Sequence, residues 1–302
     1  MRVREPDWHQ HRMFRTPELD VHVHIFAPDC VEVRRNLAFR DRLKANIEDR
    51  RLYESVKRKL AGEDWPDMNA YARAKSEVVE QIIARAMSHE AMIDYYSKRS
   101  HEYERIYHKP ERQADLALLR AHLRALLAGR RVIEVACGTG YWTAAIADAA
   151  ASIIATDASE EVLEIARLKG VDPSRVSFRL GDAWRVNEQA GDFDAGLAAF
   201  WYSHVPREQL PAFLAGFGAA LKPGARVVFA DNRFVTGSST PISRSDNDGN
   251  TYQLRRLDDG STYEVLKNFP TRAELITLAE QHGRGVEVVE WEYFWCLSYE
   301  PR

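Results

Sequence analysis

From residue 131 onward the chain alternates between two hydrophobic periods. Short apolar runs at residues 131–135, 152–156, 176–180, 195–199 and 226–230 read as buried strands, and helical patterns at 142–150, 160–168 and 209–221 separate most of them. That order predicts an α/β fold with a parallel sheet covered by helices on both faces. After residue 250 the pattern changes. Residues 252–257 and 261–266 flank Asp258-Asp259-Gly260 as a hairpin. Thr271, with Glu274 three residues on, opens a helix through a capping box, and 286–298 reads as one long final strand.

Upstream, residues 20–26 alternate as a strand, Pro28-Asp29 marks a turn, and helical patterns follow at 32–43, 52–60 and 67–86. The periodicity loosens around Ser88-His89-Glu90, which puts a domain boundary after residue 86. The first domain, 1–86, is therefore a small α+β unit, mostly helical with one strand. The second, 87–302, begins with a helical segment at 87–128 and continues as the sheet domain at 129–302. Pro110 splits that helical segment in two, and its first half carries Tyr95, Tyr96, Tyr103 and Tyr107. These rings either pack on the sheet domain or form a lid whose phenols cover a bound ligand. On the lid reading Tyr103 meets the cofactor, while Tyr95 and Tyr107 meet its reaction partner.

Composition narrows the function class. The 302 residues are 45% hydrophobic and 29% charged, enough to bury two cores, and the net charge of -3 gives no electrostatic reason to expect nucleic acid. A small molecule is the expected partner. No apolar run reaches membrane-spanning length and the polar start MRVREPDWHQHR is not a signal peptide, so the expected location is the cytoplasm. Cys30, Cys137 and Cys296 are far apart, which fits free thiols in a reducing compartment. His22 and His24 share one strand face with Asp20, but no spacing fixes a third ligand, so no metal is assigned.

Candidate chemistry gathers at the strand ends. The first strand of the sheet domain runs into Gly138-Thr139-Gly140; Asp157 ends the second; Asp182-Ala183 follows the third; Phe200-Trp201 follow the fourth. In a doubly wound sheet these positions share the edge where ligands bind. A carboxylate after the second strand suits ribose hydroxyls, and Asp182 with the Ala183 N–H suits the edge of adenine. A dinucleotide site needs a third glycine where Thr143 stands, and Glu134 would repel a pyrophosphate while suiting a cation.

EVACGTGYWT, TDAS, GDAW and the late hairpin with its long final strand resemble the class I S-adenosylmethionine-dependent methyltransferases over about residues 90–302. The resemblance implies a Rossmann-like, seven-stranded sheet, S-adenosyl-L-methionine as cofactor and S-adenosyl-L-homocysteine as product. It implies that Gly138 and Gly140 approach the methionine part, that Asp157 holds the ribose, and that Asp182 and Ala183 bind adenine. Glu134 then orients the loop or, through water, the ammonium, and Phe200 joins the cofactor set. HRMFRTPELDVHVHIF, RRNLAFRDRLKAN and LYESVKRKLAGEDWPDMNAYARAKSEVVEQII resemble in order the C-terminal half of the GrpB-like (UPF0157) family, which is related to nucleotidyltransferases. The half of that family with a Gly-Ser turn and paired acidic residues has no counterpart here. The resemblance therefore implies a truncated module, used for homodimerisation, scaffolding or substrate gating rather than nucleotidyl transfer.

Methyl transfer is an in-line displacement, so a base is needed only when the acceptor carries a proton. His204 is the first candidate and Asp231 the second. Trp201, Tyr202, Phe234 and the aromatic final strand, Trp291, Tyr293, Phe294 and Trp295, are expected to wall a small acceptor, alternate members of that strand being core on the plainer reading. Arg233, Ser238, Ser239, Thr240 and Arg244 are polar or basic groups suited to a carboxylate or phosphate. No Asn-Pro-Pro-Tyr or Asp-Pro-Pro-Tyr follows the fourth strand, which argues against an amino group of a nucleic acid as acceptor. Two other readings stay open: a non-catalytic cofactor-binding or interaction protein, and a nucleotidyltransferase-related role for residues 1–86.

Overall fold

The computed structural model describes residues 2–5, 11–15, 22–27, 30–99, 103–189 and 192–302. The chain divides into two compact units, Met1–Ala91 and Met92–Arg302.

In the first unit β1 (Arg2–Glu5), β2 (His11–Arg15) and β3 (His22–Ile25) form an antiparallel sheet in that order. The helices α1 (Val31–Ala45), α2 (Ile47–Ala61) and α3 (Met68–Arg99) follow, the residues of α3 from Met92 on being counted with the second unit. Asn46 separates the first two helices and caps α2, its side chain accepting from the Glu48 and Asp49 N–H groups. Asp49 is buried between Arg42, whose Nε lies 2.6 Å away, and Arg85, whose Nη1 lies 2.5 Å away. Two guanidinium groups offset the cost of removing that carboxylate from water. The strand expected at 20–26 is β3, although residues 20 and 21 lie outside the described residues. It is an edge of a three-stranded sheet whose other two strands the sequence pattern did not reveal. Across β2 and β3, His11 Nε2 and His24 Nδ1 pair at 2.9 Å. The side chains of Asp20, His22 and His9 lie outside the described residues.

The second unit opens with short 3-10 turns at Tyr103–His108 and Pro110–Arg112, then α4 (Gln113–Leu127). Pro110 takes the first helical position, where its missing N–H has no intrahelical acceptor to lose. There follow β4 (Arg131–Val135), α5 (Tyr141–Ile146), β5 (Ser152–Asp157), α6 (Glu160–Arg167), β6 (Val176–Leu180), β7 (Ala195–Ala199), α7 (Leu210–Ala219) and β8 (Arg226–Asn232). A separate small sheet holds β9 (Arg244–Ser245), β10 (Thr251–Arg256) and β11 (Thr262–Leu266), the last two forming the expected hairpin. The chain closes with α8 (Arg272–His282), which carries the Thr271–Glu274 capping box, then β12 (Gly283–Glu290) and β13 (Phe294–Pro301).

The main sheet has seven strands in the order β12-β13-β8-β7-β4-β5-β6. β4 to β8 are parallel, while β13 runs antiparallel to both β8 and β12. The single final strand expected at 286–298 is thus two strands, reversed at Trp291, whose N–H donates to the Phe294 carbonyl at 2.9 Å. That reversal supplies the seventh strand. Alternate residues serve opposite faces: Val132, Val228 and Cys296 join one core with Leu116, Leu119 and Leu123 of α4, while Ile133, Phe229 and Leu297 join another with Phe213 and Phe217 of α7. From β4 the chain builds outward to β5 and β6 on one side and returns to β7 and β8 on the other. The crevice at the carboxyl ends of β4 and β7 is therefore the topological switch point.

Candidate active site

The glycine turn after β4 is held by its neighbours. Ala136, Gly138 and Gly140 all have positive φ, at 51°, 55° and 75°. For Ala136 that conformation costs of order 1 kcal/mol and persists because the surroundings enforce it. Asp157, at the end of β5, accepts from the Gly138 N–H at 2.9 Å and the Ser159 N–H at 3.0 Å. A Cβ on Gly140 would stand 3.0 Å from Ala166 Cβ and 3.3 Å from Phe178 Cε1, so this glycine is required by the packing of α6 and β6 on the turn. Glu134 is buried and accepts from the Thr143 hydroxyl at 2.7 Å, fastening the start of α5. Burial, reinforced by Asp157, pushes its carboxyl up to about 8.

The other predicted cofactor residues stand on the same edge. Asp182 accepts from the Trp184 N–H at 2.9 Å, and the Gly181 N–H reaches the Asp157 carbonyl at 2.8 Å, so the turns after β5 and β6 are joined. Ala183 is buried in the first turn of the 3-10 helix that Asp182 caps. The 3-10 segment before α4 reaches the glycine turn: Glu104 accepts from the Thr139 hydroxyl at 2.7 Å and pairs with Lys169. The Tyr103 side chain lies outside the described residues.

Across the switch point, Phe200 has φ 63° and donates its N–H to Ala230 at 2.7 Å. Its ring stacks on Trp142 of α5 at 5.5 Å. A short turn, Tyr202–His204, then carries His204 into the interior. Nδ1 of His204 lies 2.7 Å from the Leu266 carbonyl, which can only accept, so Nδ1 bears the proton. Nε2 then accepts from the Tyr96 hydroxyl at 2.8 Å. Burial, helped by the nearby Lys267 ammonium, holds the imidazole well below its ordinary pKa and therefore neutral.

Asp231 does not stand as an isolated base. It is buried and receives Lys267 Nζ at 2.9 Å, the Ser203 hydroxyl at 2.7 Å and N–H at 3.0 Å, and the Asn232 N–H and side-chain amide. Burial alone would raise its pKa, but Lys267, His204 and these hydrogen bonds bring it below the ordinary value. Ser203 precedes His204, so the Asp231–Lys267 pair fixes the turn that presents the histidine.

A cavity of about 80 Å³ opens beside this turn, lined among others by Tyr96, Phe200, His204, Arg112, Arg255 and Lys267. At roughly 10–15 Å³ for one water-sized sphere, it holds a small headgroup. Ser238, Ser239 and Thr240 line it as the sequence suggested. Tyr95, Tyr107, Trp201, Arg233 and Arg244, also expected at the acceptor, do not. Tyr95 is a core residue packed on Leu257, Val265 and Tyr263, and its helix neighbour Tyr96 takes the position in the cavity. Tyr107 stacks on Tyr141 at 3.9 Å and accepts from Trp142 Nε1 at 3.2 Å, also in the core. Trp201 packs against the α7 face of the sheet. Arg233 donates to the Trp291 carbonyl and pairs with Glu290 at 3.4 Å, and Arg244 pairs with Glu264 over the Tyr252 ring. The missed cavity residues include Arg99, Lys109, Arg112, Arg255 and Lys267, which come from separate segments with no common motif.

Comparisons with known proteins bear on the family of each unit. A family model described as a methyltransferase domain matches residues 132–224, and one described as GrpB protein matches residues 1–85, the N-terminal part of the chain. A ubiquinone biosynthesis O-methyltransferase of Bordetella avium is 33% identical over 186 residues, covering 58% of this chain and 73% of that protein. A UPF0157 protein of Halalkalibacterium halodurans is 48% identical over 86 residues, covering 28% of this chain and 44% of that protein. The chain thus spans less than half the length of that relative. Among solved structures, DhpI in complex with SAH is 29% identical with a TM-score of 0.57, covering 70% of this chain and 96% of that one. DhpI with SAM and HEP is 27% identical with a TM-score of 0.56, covering 70% and 97%.

Proposed function

Because this chain belongs to the S-adenosylmethionine-dependent methyltransferases, we propose that its second unit moves the methyl group of S-adenosyl-L-methionine to a small molecule seated in the cavity beside His204. The observation that carries the reading is the position of Phe200. Its ring lines that cavity and also stacks on Trp142, in the first turn of the helix that leaves the glycine turn. Donor and acceptor sites thus share one wall.

The residues present suit the cofactor. Asp157 and Asp182 each spend one or two acceptor positions on backbone N–H groups, and a carboxylate offers about four, which leaves capacity for ribose hydroxyls and an adenine amine. Gly138 presents its backbone toward the methionine part, Gly140 shapes the turn, and Glu134 behind them orients the loop by holding Thr143 at the start of α5. Ala183 lines the adenine side and Tyr103 belongs to the covering segment. When bound, the cofactor supplies a methyl group on a positively charged sulfur.

The chain's own work is alignment and exclusion of water. Tyr96 and His204 face the cavity as a hydrogen-bonded pair, Nε2 of the neutral imidazole accepting from the Tyr96 hydroxyl, and the pair orients the acceptor. Asp231 acts as a positioning residue for Ser203, Lys267 and the His204 turn. The first unit is read as a module for assembly or substrate gating. A cytoplasmic setting is supported by three cysteines that are all unpaired and buried.

Incubating the full chain with S-adenosyl-L-methionine and a metabolite panel tests the assignment. Accumulation of S-adenosyl-L-homocysteine with one acceptor class supports it. Binding of the sulfur nucleosides without turnover of any acceptor favours the non-catalytic reading. Metal-dependent ATP turnover by the full chain would restore the nucleotidyltransferase reading of the first unit.

A further inference from the structure

Cations gather around the cavity. Lys109, Arg112, Arg255, Lys267 and Arg99 line it, and among the described residues no Asp or Glu does. Lys267 is matched by Asp231. The next three are not: among the described residues no carboxylate stands within 4.0 Å of Lys109, Arg112 or Arg255. This in a chain whose acidic residues outnumber its basic ones, 45 to 42.

These cations are also fixed in place. Arg112 is buried, with its guanidinium over the rings of Tyr293 and Phe294, and it donates to Ser238 Oγ at 3.0 Å and Asn232 Oδ1 at 3.2 Å. The Ser238 hydroxyl in turn donates to Glu111 Oε1 at 2.8 Å. Arg255 donates to Gln253, which in turn donates to the Thr240 carbonyl. Its Nε is buried with no hydrogen-bond acceptor. Lys109 donates to the Ser238 carbonyl. Burial first, then the charge of Arg112, lowers the Lys109 pKa. Arg112 is lowered by burial too, Glu111 opposing the shift and Arg255 adding to it. Like charges gathered out of water repel one another, and a buried donor with no acceptor carries a desolvation cost. An anion relieves both at once, and arginine forks match the oxygens of a carboxylate or phosphoryl group.

We propose that the methyl acceptor is a small oxyacid whose carboxylate or phosphoryl group is held by Lys109, Arg112 and Arg255. This rests on the methyltransferase reading for the word acceptor, while the anion site stands on the cavity alone. The headgroup fits about 80 Å³. The nucleophilic part of the molecule then lies toward Phe200 and His204.

The test is an NMR titration of the full chain, with and without S-adenosyl-L-homocysteine, using methylphosphonate, inorganic phosphate, acetate and, as a neutral control, acetamide. The expected result is saturable binding of at least one oxyanion, with acetamide at least tenfold weaker. A preference for methylphosphonate and phosphate identifies a phosphoryl acceptor; a preference for acetate identifies a carboxylate. Arg255→Gln and, separately, Lys109→Met weaken the bound oxyanion about tenfold or more while S-adenosyl-L-homocysteine affinity stays within twofold. Acetamide binding as tightly as acetate, or unchanged oxyanion affinity in both variants, overturns the proposal. If the wild-type chain fails to bind S-adenosyl-L-homocysteine, the methyltransferase reading fails, and the titration without it still decides the anion site.

Discussion

The Tyr96 hydroxyl donates to Nε2 of His204 at 2.8 Å, because the other ring nitrogen is committed to the Leu266 carbonyl. A neutral histidine is thereby built into the fold, and acid should expose it. His204 has a folded pKa depressed from 6.5, so between 6.5 and that lower value the unfolded chain takes up a proton that the folded chain refuses. Its stabilising contribution is complete above 6.5 and is lost as pH falls through this window, at up to roughly 1.4 kcal/mol per pH unit. Urea midpoints at pH 7, 6 and 5 should fall more steeply for the wild type than for His204→Gln. Parallel declines would show that the imidazole is not held neutral.

Glu134 has the opposite sign. Its folded pKa is raised from 4.5 to about 8, so the folded chain keeps a proton that the unfolded chain has lost. Stability from this group is present below 4.5 and declines as pH rises toward 8. Glu134→Gln retains a partner for Thr143 and removes the titration. Thermal melts from pH 5 to 8 should show the variant gaining on the wild type as pH rises; a constant difference would contradict the raised pKa.

The Asp231–Lys267 pair is fully buried, at 2.9 Å. Removing one partner strands the other charge. Lys267→Met is expected to destabilise by about 3–5 kcal/mol, with Asp231→Asn in the same direction, whereas the double variant costs less than the sum. Chemical denaturation of the four proteins measures this. Additive losses would mean the two side chains do not act as a pair.

Asp157 carries both the glycine turn and the proposed ribose contact. Asp157→Ala should weaken S-adenosyl-L-homocysteine binding by about 1–3 kcal/mol through lost charged hydrogen bonds, and it should lower stability as the Gly138 N–H loses its acceptor. Calorimetry with a parallel melt separates the two. A melt that shifts with no change in affinity would leave Asp157 a purely structural residue.

The sheet was legible in the sequence because its strands are buried on both faces and read as continuous apolar runs, as at β4 and β7, whose strand interiors are almost wholly buried. The edge that bears Gly138, Asp157 and Asp182 followed from strand order alone. β1 and β2 were not legible: RVRE and HRMFR have no apolar face to betray them. The reversal at Trp291 was hidden because aromatic residues run straight through it. The acceptor cavity was the least legible part. Buried Arg112 and Lys267 look like surface residues in the sequence, since only their distant partners Ser238, Asn232 and Asp231 make burial tolerable. Tyr95 and Tyr96 are adjacent, and only helix packing decides that the first is core and the second faces the cavity.

The most direct measurement is isothermal titration of the full chain with S-adenosyl-L-homocysteine beside NAD and ATP. The account predicts one saturable S-adenosyl-L-homocysteine site per chain, displaced by S-adenosyl-L-methionine, with no comparable binding of NAD or ATP at that site. Absence of sulfur-nucleoside binding, or its displacement by NAD, would contradict it.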